Sequence, residues 1–188
     1  EARSVFDSLQ AVWRHANITR QRKLNIFIAC VLSKLMYSLE SLCLRQADRS
    51  RLDAFHAQCL RKIYGIPHSM ISHISNDEVR RVARQHPLSQ NILYRQLMLF
   101  GKIASSPDDS EIRSIVFEPG ATKLAALDGP RSQGRPRMRW ETVTHAHALQ
   151  VVSQANLDTI LNCSVYNKQV WQATVKRYCF SYSGAFTP

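Results

Sequence analysis

The side chains able to do chemistry in this chain are mostly cations, and they come in clusters. "RQRK" (Arg20 to Lys23) sits where a helix begins, and "RKIYG" brings Arg61 and Lys62. "RRVAR" brings Arg80, Arg81 and Arg84, and "GPRSQGRPRMRW" sets Arg131, Arg135, Arg137 and Arg139 among glycine and proline with no acid between them. A guanidinium offers a planar fork of donors that matches phosphate oxygens. Several such clusters on one surface make a binding track whose affinity falls steeply with salt. These nine residues, Arg61 through Arg139, are the candidate nucleic-acid contacts. Gly134-Arg135-Pro136 also resembles the centre of an AT-hook, an extended element that lies in a narrow minor groove.

Other chemistry finds no convergent set of groups. Asp108 and Asp109 are adjacent carboxylates in "SSPDD", but neighbours in a turn diverge, so a turn and a helix cap are expected there. His145 and His147 stand two apart, so on a helix they face different sides. His56 lies beside an apolar stripe and reads as a partly buried, hydrogen-bonded histidine. There is no GxxxxGK phosphate loop and no GxSxG elbow. The expectation is therefore no catalytic residue, no metal ligand and no cofactor in this chain.

The 188 residues carry 25 lysines and arginines against 14 acids, a net charge of +11, which points to a polyanionic partner. Five cysteines at wide spacings without a CxxC pair read as reduced thiols of an intracellular protein, placed in nucleus and cytoplasm. Lys34 and Glu40 interrupt the most apolar stretch, Ile26 to Leu44, so it reads as a core helix and not as a membrane span. The chain begins at Glu1 and reads as a fragment of a longer protein.

The elements that position these side chains are helical almost throughout. Val5, Leu9, Val12 and Trp13 give one buried stripe. Thr19 is placed to cap a second helix, whose nearly all-round apolar surface assigns it to the centre of a bundle. A third helix opens at Asp48, buries Leu52, Phe55, Cys59 and Ile63, and closes at Gly65 and Pro67. "SNDE" (Ser75 to Glu78) is a capping box. Ile92, Leu93, Leu97, Phe100 and Ile103 mark another helix, and two more follow Trp140. The expected fold is all-α: an irregular helical bundle over 1–118, a basic Gly/Pro/Arg linker over 119–137, and a C-terminal helical segment over 138–188.

Taken in order, these blocks resemble the region that follows the catalytic core in reverse transcriptases of non-LTR (LINE-type) retrotransposons. Arg22 to Ser41 is similar to that family's "KLxLYxxxVLPxLLYGxExW", and Leu52 to Ile66 to its "LxxFHxRCLRxIxGI". "GRPRMRW" matches "GRPRxRW", and Asn167 to Val175 resembles "DRxxWRxxV". The likeness covers nearly the whole chain. Ser38 stands where the pattern has glycine, Leu42 where it has tryptophan, and Lys102 where it has histidine. The resemblance implies a thumb and post-thumb module that grips RNA–DNA or DNA duplex for target-primed reverse transcription. The family's paired palm aspartates have no match here, so polymerisation and its Mg2+ would belong to a missing upstream polymerase domain. Two other readings stand beside it: a stand-alone architectural DNA-binding protein using the arginine loop, and a degenerate element fragment that contacts proteins.

Overall fold

The structure, a computed structural model, describes residues 1–15, 17–126, 138–161 and 166–180. It is all-α, as expected. Among the described residues there is no strand, only an isolated bridge between Phe117 and Leu124. Among the described residues no helix is long and apolar enough to cross a membrane. The described chain forms two compact units, Glu1–Glu40 with Leu44–Ile92, and Ser41–Cys43 with the described residues from Leu93 to Phe180.

The first unit opens with α1 (Ala2–Ser8) and α2 (Gln10–Arg14), separated by a break at Leu9. The break lets Trp13 stack on Phe6, with ring centroids 5.0 Å apart, and donate its indole N–H to the Phe6 carbonyl at 2.8 Å. α3 (Arg20–Phe27) is capped as expected: the Thr19 hydroxyl accepts from the Arg22 amide at 3.3 Å. A π-helical turn (Ile28–Leu32) and a short α4 (Ser33–Leu35) continue it.

This stretch is not the central, all-round buried helix that its composition suggested. It buries Leu24, Phe27, Val31, Leu32 and Met36 but leaves Cys30, Lys34 and Tyr37 outside. Those three residues share a face at spacings of four and three. An unpaired ammonium is costly to bury, so the face that holds Lys34 goes to water and takes Cys30 and Tyr37 with it. Just beyond, Ser38 turns the chain at φ +58°, a conformation that glycine adopts without penalty.

α5 (Gln46–Tyr64) starts two residues before Asp48 and ends on Gly65 at φ +70°. α6 (Ser69–Ser72) and α7 (Asn76–Ala83) follow. The Ser75 hydroxyl caps α7 by accepting from the Glu78 amide at 3.1 Å, while the Glu78 carboxylate pairs with Arg81. Asp53 of α5 accepts from the Ser89 amide (3.0 Å) and hydroxyl (2.6 Å), fixing the start of α8 (Leu88–Ala104).

The second unit packs the later part of α8 with α9 (Glu111–Val116), α10 (Trp140–Val151), α11 (Gln154–Ile160) and α12 (Lys168–Phe180). Leu97, Phe100, Phe117, Leu157 and Trp171 form its centre. The Trp171 indole donates to the Leu97 carbonyl at 3.0 Å, crossing directly over Gly101. Asp108 does not cap α9, whose N-cap position belongs to Ser110. Its carboxylate accepts from Arg113 Nε at 2.7 Å and from the Gly120 amide at 3.4 Å. Arg113 is buried, lies over the Phe117 ring, and also donates to the carbonyls of Ala104 and Ala121. That one side chain closes the end of α8 and holds the 117–124 turn.

Candidate nucleic-acid interface

The first unit carries fourteen basic side chains against seven acidic ones, so the surplus charge is concentrated there. The candidate contacts divide sharply once their surroundings are known. Arg61 lies on the buried side of α5 and is only 6 % exposed. Its Nε donates to Asn76 Oδ1 at 3.3 Å, Nη1 to the Pro67 carbonyl at 2.9 Å, and Nη2 to the Ile74 carbonyl at 2.5 Å and to Asn76 Oδ1 at 3.1 Å. The guanidinium therefore ties the 67–76 connection to α5, and no donor is left facing solvent for a phosphate. Arg61 is a structural cation, because a fork of five N–H groups satisfies several buried carbonyls that lysine could not reach together.

Arg80 is largely covered and pairs with Asp77 at 2.5 Å. Arg81 is half-exposed and pairs with Glu78. Both are single-turn pairs on a helix surface, worth a few tenths of a kcal/mol, about 0.3–0.5, and easily exchanged for another anion. Lys62 is half-exposed, 3.6 Å from Asp7 and 5.5 Å above the Phe6 ring. Arg84 ends α7 at φ +52°, exposed. In the second unit Arg139 is partly exposed and paired with Glu141. Arg131, Arg135 and Arg137 lie outside the described residues, and so does the AT-hook-like tripeptide.

Packing brings a different set together. α5 and α7 are in close contact, and α3 packs on α5, so the start of α3 and the end of α7 both bring an arginine near Tyr64 at the C-terminal end of α5. Burial pushes the Tyr64 hydroxyl above its ordinary pKa, while Arg20 and Arg84 lie near enough to oppose that shift. Arg20 was visible as part of "RQRK", but nothing in the sequence brought it to Tyr64. The Lys23 ammonium of the same cluster is buried on the Trp13 carbonyl at 2.8 Å.

Alongside this corner runs a groove between α1–α2 and α5. It has two lobes of about 350 Å³ each, which share Arg61, Lys62 and Ile66. Arg3, Asp7, Gln10 and Arg14 line it at spacings of four, three and four residues. That polar helical stripe was the available signal for Arg3 and Arg14, which clustering of charges alone does not reveal. Burial pushes the Cys59 thiol up to about 12 despite the nearby Arg3 and Lys62 cations, so it stays protonated and unreactive at neutral pH.

His56 is fully buried on the Phe27 ring, with centroids 5.9 Å apart, and neither ring nitrogen has a hydrogen-bond partner. The expected partial burial and hydrogen bond are thus corrected to a neutral, unpaired core imidazole. Burial first, and Arg80 second, lower its pKa to about 4. His145 and His147 do face different neighbours: His145 lies against Phe100, and His147 approaches the Tyr178 hydroxyl at 3.5 Å. Among the described residues no three His, Cys, Asp or Glu side chains are grouped to hold a metal ion. Compared with protein-family models, with curated proteins and with solved structures, the chain matches none.

Proposed function

We propose that this chain is a nucleic-acid-binding module that holds a duplex by its phosphate backbone, in the manner of the thumb and post-thumb of a non-LTR retrotransposon reverse transcriptase. The observation that carries this reading is the approach of Arg20, at the start of α3, and Arg84, at the end of α7, to Tyr64 at the C-terminal end of α5. A protein surface that gathers like charges without matching acids pays for their mutual repulsion unless an anion joins them. The arginines of 131–139 would add a second grip.

Two packing details support the family likeness. Ser38, which stands in the pattern's glycine position, has the positive φ that glycine favours. Gly101 and Trp171, which fall in separate blocks of the resemblance, touch each other in the second unit. The "FHxxCLRxIxG" core of Leu52 to Ile66 serves packing: His56, Cys59, Leu60, Arg61 and Ile63 are all buried.

The test is the salt dependence of binding to a blunt RNA–DNA hybrid. Each lost phosphate contact should flatten the log–log slope by about 0.9. The Arg20→Ala/Arg84→Ala variant is expected to flatten it by up to about two units, roughly 0.9 for each contact. Removing Arg135, Arg137 and Arg139 together should do the same. An unchanged slope in both variants refutes the proposal. A marked preference for A·T-rich DNA duplex that disappears with the arginine loop would favour the architectural reading instead.

A further inference from the structure

We propose that the groove between α1–α2 and α5 binds single-stranded nucleic acid, seating two successive nucleotides with one base in each lobe and the intervening phosphate on Lys62. The inference rests on the nucleic-acid reading above but assigns a separate site and a separate form of ligand.

Three observations carry it. The first is shape. Two lobes of about 350 Å³ meet at Arg61, Lys62 and Ile66, and of these Lys62 is the exposed cation; each lobe is at the small end of the range of about 300–1,000 Å³ that small-molecule sites occupy. A continuous apolar helix face would fill one trough; two pockets separated by a cation fit a repeating unit of ring, charge, ring. The second is lining. One lobe offers Phe55 with the Arg3 guanidinium lying over its ring at 5.3 Å. Aromatic rings and guanidinium planes are the two surfaces on which unpaired bases stack. The other lobe is lined by Gly65, Pro67 and the apolar floor of Trp13, whose ring is buried against Phe6. Gly65, at φ +70°, has nothing within 4 Å of where a Cβ would stand, which leaves the backbone approachable there. Gln58 in the first lobe and Gln10 in the second supply amide donors and acceptors.

The third observation is charge. Arg3, Arg14 and Lys62 line the groove with ionic side chains of one sign, and Asp7 is the lone acid among its lining residues. Asp7 stands 3.6 Å from Lys62 in a half-exposed pair. Such a pair is worth about 0–1 kcal/mol and gives way to a phosphate that two further cations also attract. A base-paired duplex keeps its bases stacked inside and could not use the lobes; an unpaired strand can.

The test uses the full chain, a fluorescent ten-residue oligothymidylate, and the blunt RNA–DNA hybrid. Arg3→Glu/Arg14→Glu should weaken oligothymidylate binding at least tenfold and change hybrid affinity less than threefold. Arg20→Ala/Arg84→Ala should do the reverse. Phe55→Leu keeps an apolar side chain of similar bulk but removes the stacking face, and should weaken the single strand about fivefold while the unfolding midpoint stays within a few degrees. An oligonucleotide carrying one 4-thiouridine should photocross-link to peptides covering residues 3–14 or 55–68. Hybrid binding that persists while single-strand binding is absent, or is indifferent to the groove variants, overturns this inference alone. Cross-links mapping elsewhere also overturn it, as does displacement of the oligonucleotide by a Glu-rich peptide at equal concentration. Binding of neither ligand removes both proposals.

Discussion

Replacing Gly101 by alanine tests whether α8 and α12 are in contact where the structure puts them. In an isolated helix the change would stabilise by about 1 kcal/mol, because glycine is a poor helix former. Here a Cβ at residue 101 would stand 2.3 Å from Trp171 Nε1 and 2.6 Å from its Cδ1, closer than atoms can approach. The indole cannot swing away, since Trp171 is fully buried and its N–H is held by the Leu97 carbonyl. Relief must come from separating the helices, which also breaks that hydrogen bond. Overpacking costs about 1–3 kcal/mol, and an orphaned buried donor costs about 1–3 kcal/mol more. Against the propensity gain, the net loss is about 3 kcal/mol. For a unit of this size that lowers the melting temperature by roughly 10–20 °C. Thermal unfolding followed by near-ultraviolet circular dichroism reads it directly. Adding Trp171→Phe should restore part of the loss, because the smaller ring vacates the space; the double-mutant cycle then shows favourable coupling. A Gly101→Ala protein as stable as the parent, or more stable, would refute the packing argument.

Two further predictions concern the first unit. Arg61→Lys keeps the charge but removes the fork, so it should cost about 1–3 kcal/mol in urea unfolding without any nucleic acid present, a loss that a surface phosphate contact would not produce. Stability should also fall with acid. The His56 pKa of about 4 lies below its ordinary 6.5, so between those values the unfolded chain binds more protons than the folded one. The contribution is complete above pH 6.5 and is lost as pH falls toward 4, by about 3 kcal/mol in total. Hydrogen exchange of the α5 amides between pH 7 and 4.5 should show it, and His56→Gln should flatten the profile; an equally steep profile in that variant would place the titration elsewhere.

The helical character of the chain was legible because apolar side chains recur at helical spacing, and the stops were legible because chemistry forces them. Gly65 takes a positive φ, Pro67 cannot continue a helix, and Ser75 and Thr19 each offer an oxygen to a free amide. Those are local events, and local sequence decides them. The break at Leu9 and the π-helical turn at Ile28–Leu32 were not legible, since nothing in their own residues demands them.

Charge illustrates the same division. The count of cations over acids is a property of composition, and it was enough to point to a polyanion. Which cations face water is not. Arg61 and Lys62 are adjacent in sequence and equally basic, yet one fills a nest of carbonyls and the other overlooks a groove. A step of one residue turns a helix by about 100°, so neighbours meet different surroundings. Sequence alone determined an all-helical, strongly basic chain with its caps and stops. Only tertiary packing decided which basic groups became internal struts, which converge at the end of α5, and that Arg3 and Arg14 share a groove, because burial and convergence depend on what other helices place opposite each side chain.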